Sequence, residues 1–484
     1  MARKTSSTRL TFMVLAAAAA AFSTLQSLVS PVLPTIQHDL HTSQSTVTWV
    51  LTAWLLSASV ATPLMGRIGD MIGKERTLLV ALAAIALGCL VAALAPNIGV
   101  LIIGRVIQGL GGAVFPVSFG IVRDEFPPAR VSSAIGGLSA VIAVGGGLGI
   151  VLAGPIVGAL GWRWLFWIPM IIVAATAVLA HRYVPESPVR TPGRVDWLAA
   201  VLLSGWLVAL LVPLSEATSW GWSSPKVIGL LAAAVIGFAA WITVELSSLH
   251  PLIDMRVMRL PAVWTTNLVA LLFGGGMFAA FAFLPQFMQI PRAAGYGFGS
   301  SITGAGLLML PMLVTMAVAG TVSGPITSVV GPKAQLVWGS ACGAVACAAF
   351  TAFHDQPWQV ALATGLFGLG LGLAYASMTN LIVQSVPARQ TGAAGGMNAN
   401  IRTIGGSIGT AVVSSVITGH PRPDGLPYES GFTHGFLLLT VVSAVTVAVA
   451  FLVPRGGAGR HEATSSPGAD GAAPRHEDLT PAQA

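Results

Sequence analysis

Gly66-Arg67-Ile68-Gly69-Asp70-Met71-Ile72-Gly73-Lys74-Glu75-Arg76 sets a cluster of charges between two apolar runs, one ending at Gly66 and the other beginning at Thr77. Each run is long enough to cross a bilayer, so a charged, glycine-punctuated segment between them is expected to be a short loop at a membrane face. Arg67, Lys74 and Arg76 outnumber Asp70 and Glu75, and a basic excess places such a loop on the cytoplasmic side. Gly69 and Gly73 permit a tight turn, while Asp70 lies near helix ends where it can meet arginines and partial dipole charge.

The composition agrees with a membrane setting. Charged residues make up 8% of the 484 and apolar residues 54%, where a soluble domain carries about a quarter charged. The net charge of +7 comes from basic residues scattered singly between apolar runs, with no patch to grip nucleic acid. Cys89, Cys342 and Cys347 all fall inside apolar segments and are odd in number, so no disulfide is expected. Met1 to Leu10, followed by Ala16 to Ala21, resembles a secretory signal. The apolar run continues to Ile36, which favours an uncleaved first span.

Apolar stretches predict spans near 11–36, 46–65, 77–95, 99–121, 132–160 and 164–180. After a polar segment, Arg182 to Asp196, further spans are predicted near 197–214, 227–244, 263–287, 301–323, 334–353, 358–386, 393–418 and 435–453, which makes fourteen. With the amino terminus inside, 18 of the 24 Lys and Arg fall in cytoplasmic segments, 4 fall outside, and Arg105 and Arg402 lie within spans. That asymmetry supports both the orientation and the even count, because a missed span would flip every later loop. Residues 455–484 are rich in Gly, Ala, Pro, Ser and His and read as a disordered tail.

The Gly66 to Arg76 stretch resembles the loop between the second and third spans of the major facilitator superfamily, with Met71 where a basic residue is usual. Fourteen spans grouped six, two, six resemble its larger drug-efflux branch, the drug:proton antiporter type 2 family. Arg105, Gln108, Gly109, Gly111 and Gly112 are similar to the span-4 motif with its intramembrane arginine. Gly145, Gly146, Gly147, Gly149, Gly154, Pro155 and Gly158 resemble the span-5 antiporter motif, followed by Trp162-Arg163-Trp164 at the start of span 6. The resemblance implies an all-α integral membrane protein of the major facilitator fold, with two six-helix bundles and two additional helices. The expected divisions are a first half at 1–182, a linker with two extra spans at 183–260, a second half at 261–454 and a cytoplasmic tail at 455–484.

A carboxylate among glycines and helix ends can hold a contact between halves in one state and release it in another, so Gly66, Asp70, Gly73 and Arg76 are expected to form a cytoplasmic gate, the alternative being an ordinary solvated loop. The resemblance implies that Gly146, Gly154, Pro155 and Gly158 line a close seam between halves. Glycines alone read as tight helix packing. Arg105 and Arg402 are candidates for charge or coupling roles, since an arginine inside the bilayer usually faces protein interior or water. Gln26, Trp54, Gln108, Phe281, Gln286, Tyr375, Asn380 and Asn398 are candidates for an amphipathic substrate cavity. In one respect the chain departs from the family: relatives usually have an aspartate in span 1, and that position is Leu25, beside Gln26. No span interior holds a carboxylate or histidine, so proton coupling must use an edge carboxylate or be absent.

These readings lead to a transporter in the cell (inner or plasma) membrane, both termini cytoplasmic, that exports small amphipathic molecules by alternating access. Its partners would be the substrate, the bilayer, and a proton or another coupling ion. The rival readings are a non-transporting membrane sensor of the same fold and an exporter with non-proton coupling. No Ser-His-Asp set, metal-ligand cluster or phosphate loop suggests an enzyme, a metal or a cofactor.

Overall fold

A computed structural model describes residues 7–42, 44–187, 196–248, 251–386, 391–419, 422 and 426–454. The expected tail, 455–484, lies outside them. All regular elements among the described residues are helical. The first crossing is α1 (Thr8–Leu28), a 3₁₀ turn at Ser30–Val32 and α2 (Leu33–Asp39). Pro31 and Pro34 account for that interruption, since proline deletes a helix donor and crowds the preceding turn.

α3 (Gln44–Ile72) and α4 (Lys74–Ala93) follow. Here the structure corrects the sequence reading: most of the Gly66–Arg76 stretch is helix, and the turn is the single residue Gly73, with φ of 125°. Side-chain-bearing residues rarely take that conformation, so one glycine reverses the chain. The fourth crossing comprises α5 (Ile98–Gly109), a 3₁₀ turn at Leu110–Ala113 and α6 (Val114–Glu125); α7 (Pro128–Leu160) and α8 (Trp164–Tyr183) complete six.

Next come α9 (Trp197–Trp220), α10 (Pro225–Ser247), the short α11 (Met255–Met258), α12 (Pro261–Gln289), α13 (Ile302–Leu308), α14 (Leu310–Ala352), α15 (Pro357–Ser385), α16 (Thr391–Thr418) and α17 (Glu429–Leu452). Thirteen segments are long and apolar enough to span a membrane. One of them, Ile302–Ala352, has 51 residues, about twice what a hydrocarbon core of roughly 30 Å requires at a rise of about 1.5 Å per residue. It is broken at Gly331, which has φ of 83°. Pro332 follows and excludes the helical conformation at that position. The segment is therefore two crossings, and the total is fourteen.

α7 packs along α13 and α14, while α16 packs against α3 and α6 at the end that bears the Gly73 turn. α9 pairs with α10 and wedges against α3 and α16. α10 is the outermost helix, with 17% of its most apolar window buried. A helix that is apolar all round yet so little covered by protein belongs against lipid.

Candidate functional site

Between the two groups of helices lies a cavity of about 220 Å³, lined from α1, α3 and α7 on one side and α12, α15 and α16 on the other. Phe22, Trp54 and Phe115 form an aromatic cluster on one wall, with Phe22 5.3 Å from Trp54 and 5.2 Å from Phe115 between ring centroids. Phe278, Phe281 and Tyr375 come from the facing wall. α16 presents Ala399, Arg402, Thr403, Ser407, Thr410 and Ser414, the three-and-four spacing of one helix face. Thr403 and Ser407 donate to the carbonyls of Ala399 and Thr403, at 3.1 and 3.3 Å. Their oxygens are thus left to face the cavity as acceptors.

Of the cavity candidates, Gln26, Trp54, Phe281 and Tyr375 line it. Asn398 lines a smaller pocket that shares Tyr375 and Arg402, and donates to Asn267 at 2.9 Å. Gln108, Gln286 and Asn380 lie elsewhere. Gln108 is buried within the first group of helices, bonded to Arg105 and to Cys89. Gln286 is exposed at the end of α12, and Asn380 is one residue past the cavity-facing Thr379, turned about 100° away around the helix. Leu25 is fully buried in the core; its neighbour Gln26 is the one that reaches the cavity.

The two intramembrane arginines sit differently. Arg105 is 0% exposed. It donates from Nε to the Val50 carbonyl at 2.9 Å and from Nη1 to Gln108 Oε1 at 2.7 Å, with Trp54 between it and the cavity at 5.4 Å. Arg402, the twelfth residue of α16, lines the cavity itself. Its guanidinium lies 4.0 Å from the centre of the Tyr375 ring and donates one hydrogen bond, 2.6 Å, to the Tyr375 hydroxyl. Arg402 is the one charged residue among those lining the cavity.

At the turn, Gly73 is pressed against the segment after α8: a Cβ there would lie 2.5 Å from the Glu186 carboxylate. Lys74 bonds Asp124, which also accepts from the Ser187 hydroxyl, and reaches Asp70 at 3.7 Å. Arg76, 59% exposed in its side chain, lies 3.9 Å from Glu186. Gly66 packs toward Pro116 of α6. The side chains of Pro116 and Thr62 in turn meet the Gly396 position of α16, so this end of the cavity is covered by side chains packed against a glycine. Among the described residues, the ion pairs of Asp70 and Arg76 stay within the first group of helices and the segment after α8, and do not cross to the second.

Along α7, Gly154 lies against the Thr303 backbone so closely that a Cβ would be 2.6 Å away, and Val151 meets Gly306. Gly146 faces the cavity near Phe281. Pro155 lies inside the same helix, and nothing lies within 4 Å of a Cβ at Gly158. Sequence reasoning missed the hydroxyl face of α16, Met316 and Leu214 as cavity residues. The periodic Thr403, Ser407, Thr410, Ser414 would have marked that face. Elsewhere, His354, Asp355 and Glu429 approach within 4.8 Å; His354 is bonded to the Phe350 carbonyl and lies 3.7 Å from Glu429 at a helix end.

The chain matches the family model described as Major Facilitator Superfamily over residues 15–410 and 267–477. It is 32% identical over 388 residues to a tetracenomycin C resistance and export protein of Streptomyces glaucescens, covering 78% of this chain and 70% of that protein. It is 29% identical over 445 residues to a multidrug resistance protein B homolog of Mycobacterium tuberculosis, covering 90% and 77%. Multidrug resistance protein 3 of Bacillus subtilis is 27% identical over 376 residues, covering 76% and 72%. The crystal structure of the human organic anion transporter MFSD10 superposes with a TM-score of 0.67 over 92% of this chain and 99% of that one, at 15% identity, a likeness of fold alone.

Proposed function

The chain belongs to the major facilitator superfamily, and on that premise we propose that it exports small amphipathic molecules across the cell membrane by alternating access. One observation carries the reading: a ligand-sized chamber is lined from both groups of helices, with close helix contacts toward each end. Such a chamber can be filled from one face and emptied to the other if the two groups rock about it. We take 1–182 and 261–454 as the rocking halves and 183–260 as the linker, with both termini in the cytoplasm. The names of the Streptomyces, Mycobacterium and Bacillus relatives support a drug or antibiotic type of cargo. The protein would act as a transporter without enzymatic chemistry.

In this reading, Gly66, Asp70, Gly73 and Arg76 belong to the cytoplasmic gate. The α4 end is tied by Lys74 to Asp124 and by Arg76 to Glu186, so a movement of α6 or of the linker would change the turn. The cavity-facing part of α7 at Gly146 and its tight contact at Gly154 form the seam on which the halves roll. Sealed inverted vesicles containing the chain should accumulate tetracenomycin C above control vesicles without ATP, with and without an imposed pH gradient as separate arms. Equal accumulation in vesicles lacking the protein, across a panel of amphipathic compounds, would remove the exporter reading.

A further inference from the structure

We infer that the chamber takes an aromatic amphiphile bearing one negative charge, held by Arg402 and the Tyr375 hydroxyl, and that the membrane potential drives its export. The inference rests on the exporter reading and adds the class of cargo and the driving force.

Arg402 holds unused donors at the cavity wall. A guanidinium has five N–H groups, fixed in a fork that suits a carboxylate. Arg402 uses one, toward Tyr375, and makes no other hydrogen bond among the described residues. Its plane is held by stacking on the Tyr375 ring, so the remaining N–H edge is oriented before a ligand arrives. The phenol accepts that bond, which leaves its own O–H for a further acceptor. Two donors on neighbouring helices, α15 and α16, therefore converge at the wall of the cavity, beside Phe278 and Phe281 and across from Phe22 and Trp54.

No carboxylate lines this cavity. A cationic cargo would be desolvated beside an arginine with no countercharge, which costs far more than the Coulomb term of an exposed pair. An anion meets the opposite balance. The ring fits the aromatic walls, hydroxyl substituents can donate to Thr403 and Ser407 on α16, and a carbonyl substituent can accept from the Gln26 amide.

The driving force follows from the same charge. With an anion aboard, the guanidinium and its cargo sum to zero, so reorientation of the loaded halves moves no net charge. Return of the empty protein moves Arg402 unbalanced, and an inside-negative potential pulls it back toward the cytoplasmic-facing form. One negative charge leaves per cycle, and a potential of about 100 mV supports an outward gradient of about fiftyfold for a monovalent ion. No proton has to be carried. The described carboxylates sit near helix termini, among them Asp70, Glu75, Asp124, Glu125, Glu216, Glu245 and Glu429, and Tyr375 is the titratable neighbour of Arg402. An exporter of this kind has no need for the span-1 acid that Leu25 replaces.

The test uses the full chain in nanodiscs and in proteoliposomes, with three probes of one shape: anthracene-9-carboxylate, 9-anthracenemethanol and protonated 9-(aminomethyl)anthracene. The carboxylate should bind about tenfold tighter than the ammonium, and Arg402→Gln should cost about tenfold in carboxylate affinity while moving the alcohol by less than about twofold. Arg402→Lys should recover part of the loss. Tyr375→Phe, which keeps the ring, should lose about threefold for the carboxylate, and with the Lys variant it carries the test if the Gln variant does not fold. In proteoliposomes, a valinomycin potential negative on the loaded side should speed carboxylate efflux, and collapsing a pH gradient with nigericin should leave it unchanged. Tighter binding of the ammonium, no binding of any probe, an unaltered carboxylate affinity in the variants, or efflux that follows pH and ignores potential would each overturn the inference. Export of the ammonium alone would overturn it and leave the exporter reading intact. Binding with the stated charge preference and no efflux under any gradient would remove the exporter reading instead.

Discussion

Arg105 lies in α5 with its guanidinium turned into a bundle of helices, and Arg402 lies in α16 with its guanidinium turned into the chamber. Both are buried, at 0% and 6% exposure, and both stand over an aromatic ring. Arg105 is answered by its own surroundings: a backbone carbonyl from α3 and an amide one helical turn along α5. Arg402 is answered by a single phenol, and the rest of its fork is open. An arginine in a bilayer must be satisfied by something. The fold supplies two hydrogen-bond partners to Arg105 and one to Arg402. Burial therefore does not separate the two charges, and neither does a bare count of unused donors, since Arg105 Nη2 has no hydrogen-bond partner among the described residues. What differs is that the unused donors of Arg105 are sealed among helices, while those of Arg402 belong to a residue that lines the cavity.

The largest expected effect would break this contrast if it failed. Arg105→Ala removes a fully buried side chain and strands the Val50 carbonyl and Gln108, each unpaired buried group costing about 1–3 kcal/mol. Folded yield and thermal midpoint in detergent should fall sharply. Arg402→Ala should keep a yield within about twofold of the wild type, since only Tyr375 loses a partner. An equal collapse of both variants would erase the distinction.

A contrast of the same kind within α7 should give an intermediate effect. Gly154→Val places atoms where the Thr303 backbone already lies, and the seam must part. Transport in proteoliposomes should drop about tenfold or more, with helix content unchanged. Gly158→Ala, with open space around it, should leave transport within about twofold. Loss of transport by Gly158→Ala as well would point to the helix backbone, and not to contact across the seam.

The smallest of these effects concerns Asp70. In Asp70→Asn, Lys74 keeps its bond to Asp124, so folded yield should be unaffected and transport should fall severalfold, the size expected for weakening one of two partners of a buried lysine. Unchanged transport by a well-expressed variant would remove Asp70 from the gate.

Much of the fold was legible because bilayer crossing imposes length and apolarity directly on the sequence. Even the break at Gly331-Pro332, which a continuous helix conceals, follows from local chemistry. The extent of helix around Gly66 to Arg76 was not, because a dense run of charge looks like a loop, whereas charged residues at a helix end still form helix. Site residues were legible where helical spacing could be combined with residue type. Tyr375 and Thr379 share a face of α15, whereas residue type alone marks Asn380. The different fates of the arginines were partly written in the chain as well: Gln108 follows Arg105 by three residues, within reach on the same face. Arg402 instead stands beside Thr403 at the start of the hydroxyl face. Which of two faces meets the chamber depends on packing between distant helices, and a single span does not contain that information.

The wedge of α9 against α3 and α16 bears on where a compound must be dissolved to be caught. Leu214 of that helix forms part of the chamber wall, and on the far flank α7 is pressed against α13 and α14. Should these contacts persist when the cytoplasmic end opens, a compound would load from the aqueous face. Half-saturation should then track the free concentration in water. Adding protein-free liposomes should raise the apparent KM of a partitioning cargo, expressed as total compound, in inverse proportion to the fraction left in solution.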